Sequence, residues 1–207
     1  MKKILALTLS ALMLLSLVGC GAPKDTPAEE KEAASTTVDT TDSTEEAPLA
    51  LDFFPLEFTF SSGAGGWATI LTVDADRNVN GEFFDSNFGE SDDTLYPNGT
   101  IYVSNFSGKL EVSEQINEYS YKAAFENIET EKTVGEEWIE EGTRYVGSES
   151  YGVSDSEYVL YTPTTPVSVL SEDFLTWTML LGFLEGKEVL GCYALYNETE
   201  GVAFFTY

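Results

Sequence analysis

All 13 Phe, all 11 Tyr and all 3 Trp of this 207-residue chain lie beyond Leu49, and no other feature limits its folding as strongly. Aromatic and β-branched side chains supply the area that a core must bury, so a stretch without them cannot offset its own ordering entropy. Residues 21–50 hold mainly Ala, Thr, Ser, Glu and Asp, with Pro23, Pro27 and Pro48, and neither an aromatic residue nor an isoleucine. They predict a disordered acidic tether over 20–50. Residues 51–207 predict one folded domain, of a size that ordinarily builds around a single core.

Within that domain, runs rich in Val, Ile, Thr, Tyr and Phe alternate with turn residues at short intervals. Strands are expected at Trp67–Val73, Val79–Asp85, Ile101–Phe106, Lys109–Val112, Tyr119–Glu126, Thr143–Val146, Tyr158–Thr162, Val189–Tyr196 and Val202–Tyr207. In the Tyr119 run the aromatic residues face one way, while Ser120, Lys122 and Glu126 face the other, as in a half-buried antiparallel strand. One helix is expected after Ser171, a capping residue followed by the acids Glu172 and Asp173 at the positive end of the dipole. Phe174, Leu175, Trp177, Met179 and Leu181 fall mostly on one side, and Gly182 ends it two to three turns on. Glu136–Glu141 reads as a short solvated helical turn pinned by Trp138 and Ile139. Nine or ten short strands without helical crossovers predict an all-β fold with minor α content, an antiparallel β-barrel-like domain with one short helix, a β-sandwich being second choice. Closure is favoured because it removes sticky strand edges.

The first residues carry an address. Lys2 and Lys3 precede an apolar run from Ile4 to Val18, too short for a span that needs roughly 20 apolar residues. Residues 1–19 therefore read as a signal peptide. Leu17, Val18, Gly19 and Cys20 resemble the lipobox of bacterial lipoproteins, which implies a diacylglycerol thioether on Cys20, usually an added N-acyl chain, and anchoring at the extracytoplasmic face of the cell membrane. With about 0.8 kcal/mol per buried methylene, two chains hold firmly where one is marginal. Membrane lipid is the expected partner through that acylated Cys20. Gly65-Gly66-Trp67 entering a strand resembles the Gly-x-Trp that opens lipocalin (calycin-like) barrels, where the Trp plugs the closed end. Lipocalins also stack a late-strand Arg on that Trp, and Val189–Tyr196 and Val202–Tyr207 contain no Arg. The Trp, Tyr and Gly placements also resemble those of uncharacterised Gram-positive surface lipoproteins.

Charge and missing residues narrow the chemistry. The chain carries 10 Lys and Arg against 36 Asp and Glu, a net −26, and loss of Lys2 and Lys3 would make it −28. No nucleic acid is expected as a partner, since such partners select a basic footprint. The absence of His excludes Ser-His-Asp hydrolysis and a Cys/His pair. Cys192 is left without a cysteine partner and reads as a small buried hydrophobe.

Candidate sites are few. Ser62–Gly66 is glycine-rich but feeds a strand rather than a helix N-terminus, so a hairpin loop is expected, not a phosphate loop. No cofactor is expected beyond a weak Ca²⁺ candidate: Asp74, Asp76 and Asn78 present oxygens at alternate positions, and Asp85, Glu90 and Asp92 follow the same hairpin. A site needs the two loops to converge; otherwise Asp and Asn serve the turn. Phe83-Phe84 and Phe204-Phe205 must each send one ring outside the sheet, to a binding face or beneath the helix. No catalytic residue is singled out. The expected function is a non-enzymatic, lipid-anchored ligand-binding or protein-interaction module. The alternatives are a carboxylate-based surface hydrolase such as a glycosidase and a structural component of an envelope complex.

Overall fold

The computed structural model describes residues 49, 51–180, 182 and 184–207; the lipobox residues Leu17, Val18, Gly19 and Cys20, with the signal peptide and most of the tether, lie outside them. Ten strands occur, β1 (Leu56–Ser61), β2 (Trp67–Val73), β3 (Asn78–Asn87), β4 (Thr100–Asn117), β5 (Ser120–Thr130), β6 (Glu137–Glu140), β7 (Thr143–Gly147), β8 (Glu157–Tyr161), β9 (Ala194–Asn197) and β10 (Val202–Phe205). Among the described residues one α-helix, α1 (Glu172–Leu180), follows a short 3-10 turn (Val167–Val169) between β8 and β9. Eight strands form a ring, β1-β2-β3-β4-β5-β8-β9-β10, closed where β1 meets β10 at Thr59 and Phe205. Every pairing in the ring is antiparallel, and spatial order follows chain order except for the excursion of β6 and β7. This is a closed up-and-down barrel of the lipocalin-like kind, which leaves the ring strands little open edge.

Period-two alternation fills the barrel. Leu71 and Val73 of β2 point inward with Phe58 and Phe60 of β1, Leu110 and Val112 of β4, Phe125 of β5 and Phe204 of β10, all buried in one core. Phe60 and Phe204 meet at 5.3 Å and Phe125 and Tyr158 at 5.0 Å, so ring-to-ring packing occupies the interior. Chain segments plug both ends. Before β1, Leu49, Leu51 and Phe53 pack on the core, with Phe53 against Tyr121 and Tyr193. At the other end the loop between β7 and β8 lays Tyr151 on Trp67 and Phe60, and its backbone is tied down by Thr69 Oγ1 and Tyr158 Oη, which donate to the Tyr151 and Gly152 carbonyls at 2.6 and 2.7 Å. Trp67 packs into this cluster, with Phe60 and Tyr151 meeting its ring edge to face.

A second apolar layer lies outside the ring. Helix α1 sets Phe174 on Phe205, Tyr196 and Tyr161. Hence Phe204 fills the barrel and Phe205 is buried beneath the helix, the covered arrangement of the two offered by the sequence. Ser171 Oγ accepts from the Phe174 amide at 3.2 Å, the expected cap. Among the described residues no helix is long and apolar enough to cross a membrane.

Four expectations need correction. Ile101–Phe106 and Lys109–Val112 belong to one 18-residue strand, since Gly108 makes a register shift rather than a break. The strand expected from Val189 starts at Ala194, because Gly191 has φ 79° and Val189 makes only an isolated bridge to Pro166. Leu56–Ser61, outside the expected strands, forms strand β1. Glu136–Glu141 is not a helical turn: Glu137–Glu140 is strand β6. Its turn residues Glu141 and Gly142 both have positive φ, 49° and 77°, as a two-residue type I′ hairpin demands. Trp138 then stacks on Tyr145 across the pair, with rings 5.3 Å apart and nearly parallel, and this contact outweighs the local helix preference of Glu. The hairpin docks through β7 on Thr100–Val103 of β4 in the only parallel pairing among the described residues.

Candidate functional site

The β6–β7 hairpin and the loop between β3 and β4 build the most differentiated surface. Arg144 of β7 is its centre. Its Nη2 donates to Glu90 Oε1, its Nε to Thr100 Oγ1 at 3.1 Å, and its guanidinium lies over the Tyr96 ring at 5.0 Å. Glu137 Oε2 stands 3.9 Å from Nη1. Tyr102 Oη donates to the other Glu90 oxygen at 2.9 Å, and Thr100 Oγ1 donates to the Glu90 carbonyl at 2.7 Å. The Tyr102 bond, then that of Arg144 and its charge, hold the Glu90 carboxyl below the usual range despite partial desolvation. Desolvation is the largest influence on Arg144 and opposes its charge; the Glu90 bond and charge, with Tyr96 and Glu137, outweigh it and hold its pKa above the ordinary value.

This network staples the loop to the hairpin and leaves apolar side chains outside. Leu95 is 60% exposed and Ile139 50%, and with Tyr96, Trp138, Glu137 and Arg144 they line a groove of about 480 Å³. Trp138 offers no stacking platform: Tyr145 occupies one side and Lys132 Nζ lies 5.2 Å from the ring centroid. The groove therefore suits apolar side chains and backbone rather than a sugar ring.

The six Ca²⁺ candidates are not brought together. Asp74, Asp76 and Asn78 lie at or before the start of β3, while Asp85 lies near its other end and Glu90 and Asp92 beyond it, so even Asn78 and Asp85 are about 23 Å apart along the strand. Asp74 accepts from the amides of Asp76 and Asn78 and from Asn78 Nδ2, at 2.8, 2.8 and 2.9 Å, as a turn residue does. Asp92 does the same for Thr94 and Leu95, and Glu90 is held by Arg144. Among the described residues no group of three or more Cys, Asp or Glu is placed to hold a metal ion.

Two other features bear on chemistry. Glu57, Glu82 and Glu131 rim a polar groove of about 540 Å³ on the outer face of β1–β4. The resolved carboxyl shifts, at Asp74, Glu90, Asp92 and Glu136, are all downward, opposite to what a general acid near neutral pH needs. Burial pushes the Cys192 thiol up to about 11, with Lys187 opposing it weakly, so the thiol is protonated and unreactive at neutral pH.

The hairpin was missed as a site because its acids masked the strand. One signal marks it: Trp138 and Tyr145 stand equidistant from Glu141-Gly142, the spacing that places two rings opposite each other across a two-residue turn. Compared with known proteins, the chain shows no significant match to a family model, a curated protein or a solved structure.

Proposed function

We propose that this protein is a lipid-anchored module at the extracytoplasmic face of a bacterial cell membrane, attached through acylated Cys20, that binds a partner protein through the surface of the β6–β7 hairpin and the loop between β3 and β4. The observation that carries this reading is the groove lined by exposed Leu95 and Ile139 and stapled by Arg144 and Glu90. A barrel whose interior is packed with rings has its binding capacity on the outside, and an apolar groove held by an ion-pair network is organised before any partner arrives. The aromatic-free spacer over 20–50 gives such a head reach above the lipid surface.

Two measurements on cells test it. Cys20→Ser should move the protein from the membrane fraction to the soluble fraction and remove the lipid mass from its N-terminal peptide. A photoreactive side chain in place of Ile139 should capture a discrete partner on intact cells, whereas one in place of Thr72 should not. An unchanged membrane fraction refutes the anchor, and equal or absent capture at both positions refutes the binding surface.

A further inference from the structure

We infer that β6 is a docking edge for an extended, lysine- or arginine-rich segment of a partner protein, which adds as a further strand beside Glu137–Glu140. The inference rests on the reading of this face as the interaction surface and names what the face takes. Strand β6 ends the ten-stranded sheet: β7 pairs with one edge, and among the described residues no strand pairs with the other. In a two-residue type I′ hairpin the residues flanking the turn form a hydrogen-bonded pair and the pattern then alternates. Glu140 pairs with Thr143 and Trp138 with Tyr145, so the amides and carbonyls of Trp138 and Glu140 serve β7. Those of Glu137 and Ile139 point to the open edge.

Side chains select the occupant. Alternation puts Glu137 and Ile139 on one face and Trp138 and Glu140 on the other, and Glu137, Trp138 and Ile139 all line the groove with Leu95 and Tyr96, so an added strand meets an acid and an apolar side chain on each face. Nearby cations are already engaged: Lys132 by Glu136 at 2.7 Å, and Arg144 chiefly by Glu90, with its Nη1 3.9 Å from Glu137. Among the described residues, Glu140 and Glu141 have no cation within 4.0 Å. Natural edges are commonly blunted by Lys, Pro or a bulge, and the segment Glu137–Glu140 contains neither Lys nor Pro. It carries acids instead, which repel a second copy of a chain with net charge −26 and attract a cationic strand. Main-chain bonds then supply attachment, and the acids, one on each face, supply selectivity.

The test uses the full chain in detergent micelles and a capped peptide of alternating lysine and valine, with binding read by titration calorimetry. Three controls accompany it: the same peptide with alternate backbone nitrogens methylated, an alternating glutamate and valine peptide, and raised salt. The lysine peptide should bind, and neither control peptide should. Ile139→Pro removes one outward amide without taking a bond from β7 and should weaken binding about tenfold, the equivalent of about one hydrogen bond. Because the lysines of an alternating peptide all face one way, one of Glu137→Gln and Glu140→Gln, the acid on the lysine face, should weaken it about threefold and flatten the salt dependence. If Ile139→Pro fails to fold, the methylated peptide and the two Gln variants decide the matter alone. The proposal is overturned if the lysine peptide does not bind, if it binds equally when methylated, or if both Gln variants leave its affinity and salt dependence unchanged. Capture at Ile139 on cells combined with no peptide binding would reject strand addition and leave the interaction surface standing.

Discussion

The barrel and the β6–β7 hairpin are made of the same sheet and obey opposite rules. In the barrel, eight strands pair around a ring and their inward rings fill the space they enclose. In the hairpin, four residues pair on one side only, and half-buried or exposed apolar groups stand among acids. The barrel derives its stability from burial and neighbours on both sides, whereas the hairpin is held by its parallel ladder to β4, one ring stack, one tight turn and one ion-pair network. Closure thus belongs to one part of the sheet, and the recognition we propose to another, where an edge is left open.

The sharpest break in that comparison comes from the barrel. Phe60→Ala removes a fully buried ring that touches Trp67, Tyr151, Trp177 and Phe204 and should cost about 3–5 kcal/mol in chemical denaturation. Truncating exposed Ile139 to Ala should cost only a few tenths of a kcal/mol. Comparable losses would mean that the two regions are not energetically distinct. Next in size is Gly152→Ala at the plugged end. Gly152 has φ 83°, and an added Cβ would lie 2.9 Å from Phe60 Cδ1, so about 1–3 kcal/mol should be lost. Ser171→Ala, which deletes the cap of α1, should cost about 1 kcal/mol.

The hairpin should instead respond locally and to pH. The Glu90 carboxyl is held below its ordinary range, first by Tyr102 and then, against desolvation, by Arg144. A carboxyl with a depressed folded-state pKa gives stabilisation that is present above the unfolded value and lost as pH falls through the folded one. Acidification through and below the ordinary carboxylate range should therefore release residues 88–99 from the hairpin, seen as faster amide exchange there while barrel amides stay protected. Arg144→Gln should produce the same release at neutral pH. Cys192, pushed up to about 11, should react slowly with iodoacetamide at pH 7 and speed up as pH approaches that value.

The barrel was legible in the sequence because its residues report directly on burial. The alternation in Trp67–Val73 and Tyr119–Glu126, the Ser171 cap and the Phe204-Phe205 pair each correspond to one local physical requirement. The hairpin was not legible by the same route. Glu-rich Glu137–Glu140 favours a helix locally, and only the distant Tyr145 and the Glu141-Gly142 turn reverse that preference. The Ca²⁺ candidates misled for a related reason. Asp74 and Asp92 have the composition of ligands, but their carboxylates serve backbone amides within their own turns. Proximity in sequence hid the separation of the two sets along β3. The outer cover of Phe205 likewise depends on where α1 lands, which the helix's own residues do not specify.

The division between a closed barrel and an open edge is tested most directly by residue-resolved amide exchange on the native protein. The account predicts that within β6 the amides of Trp138 and Glu140 are protected and those of Glu137 and Ile139 exchange freely, while Leu71, Leu195 and Phe204 in the barrel exchange only through global unfolding. Protection of all four β6 amides, or barrel amides that exchange as fast as those of Glu137 and Ile139, would contradict it.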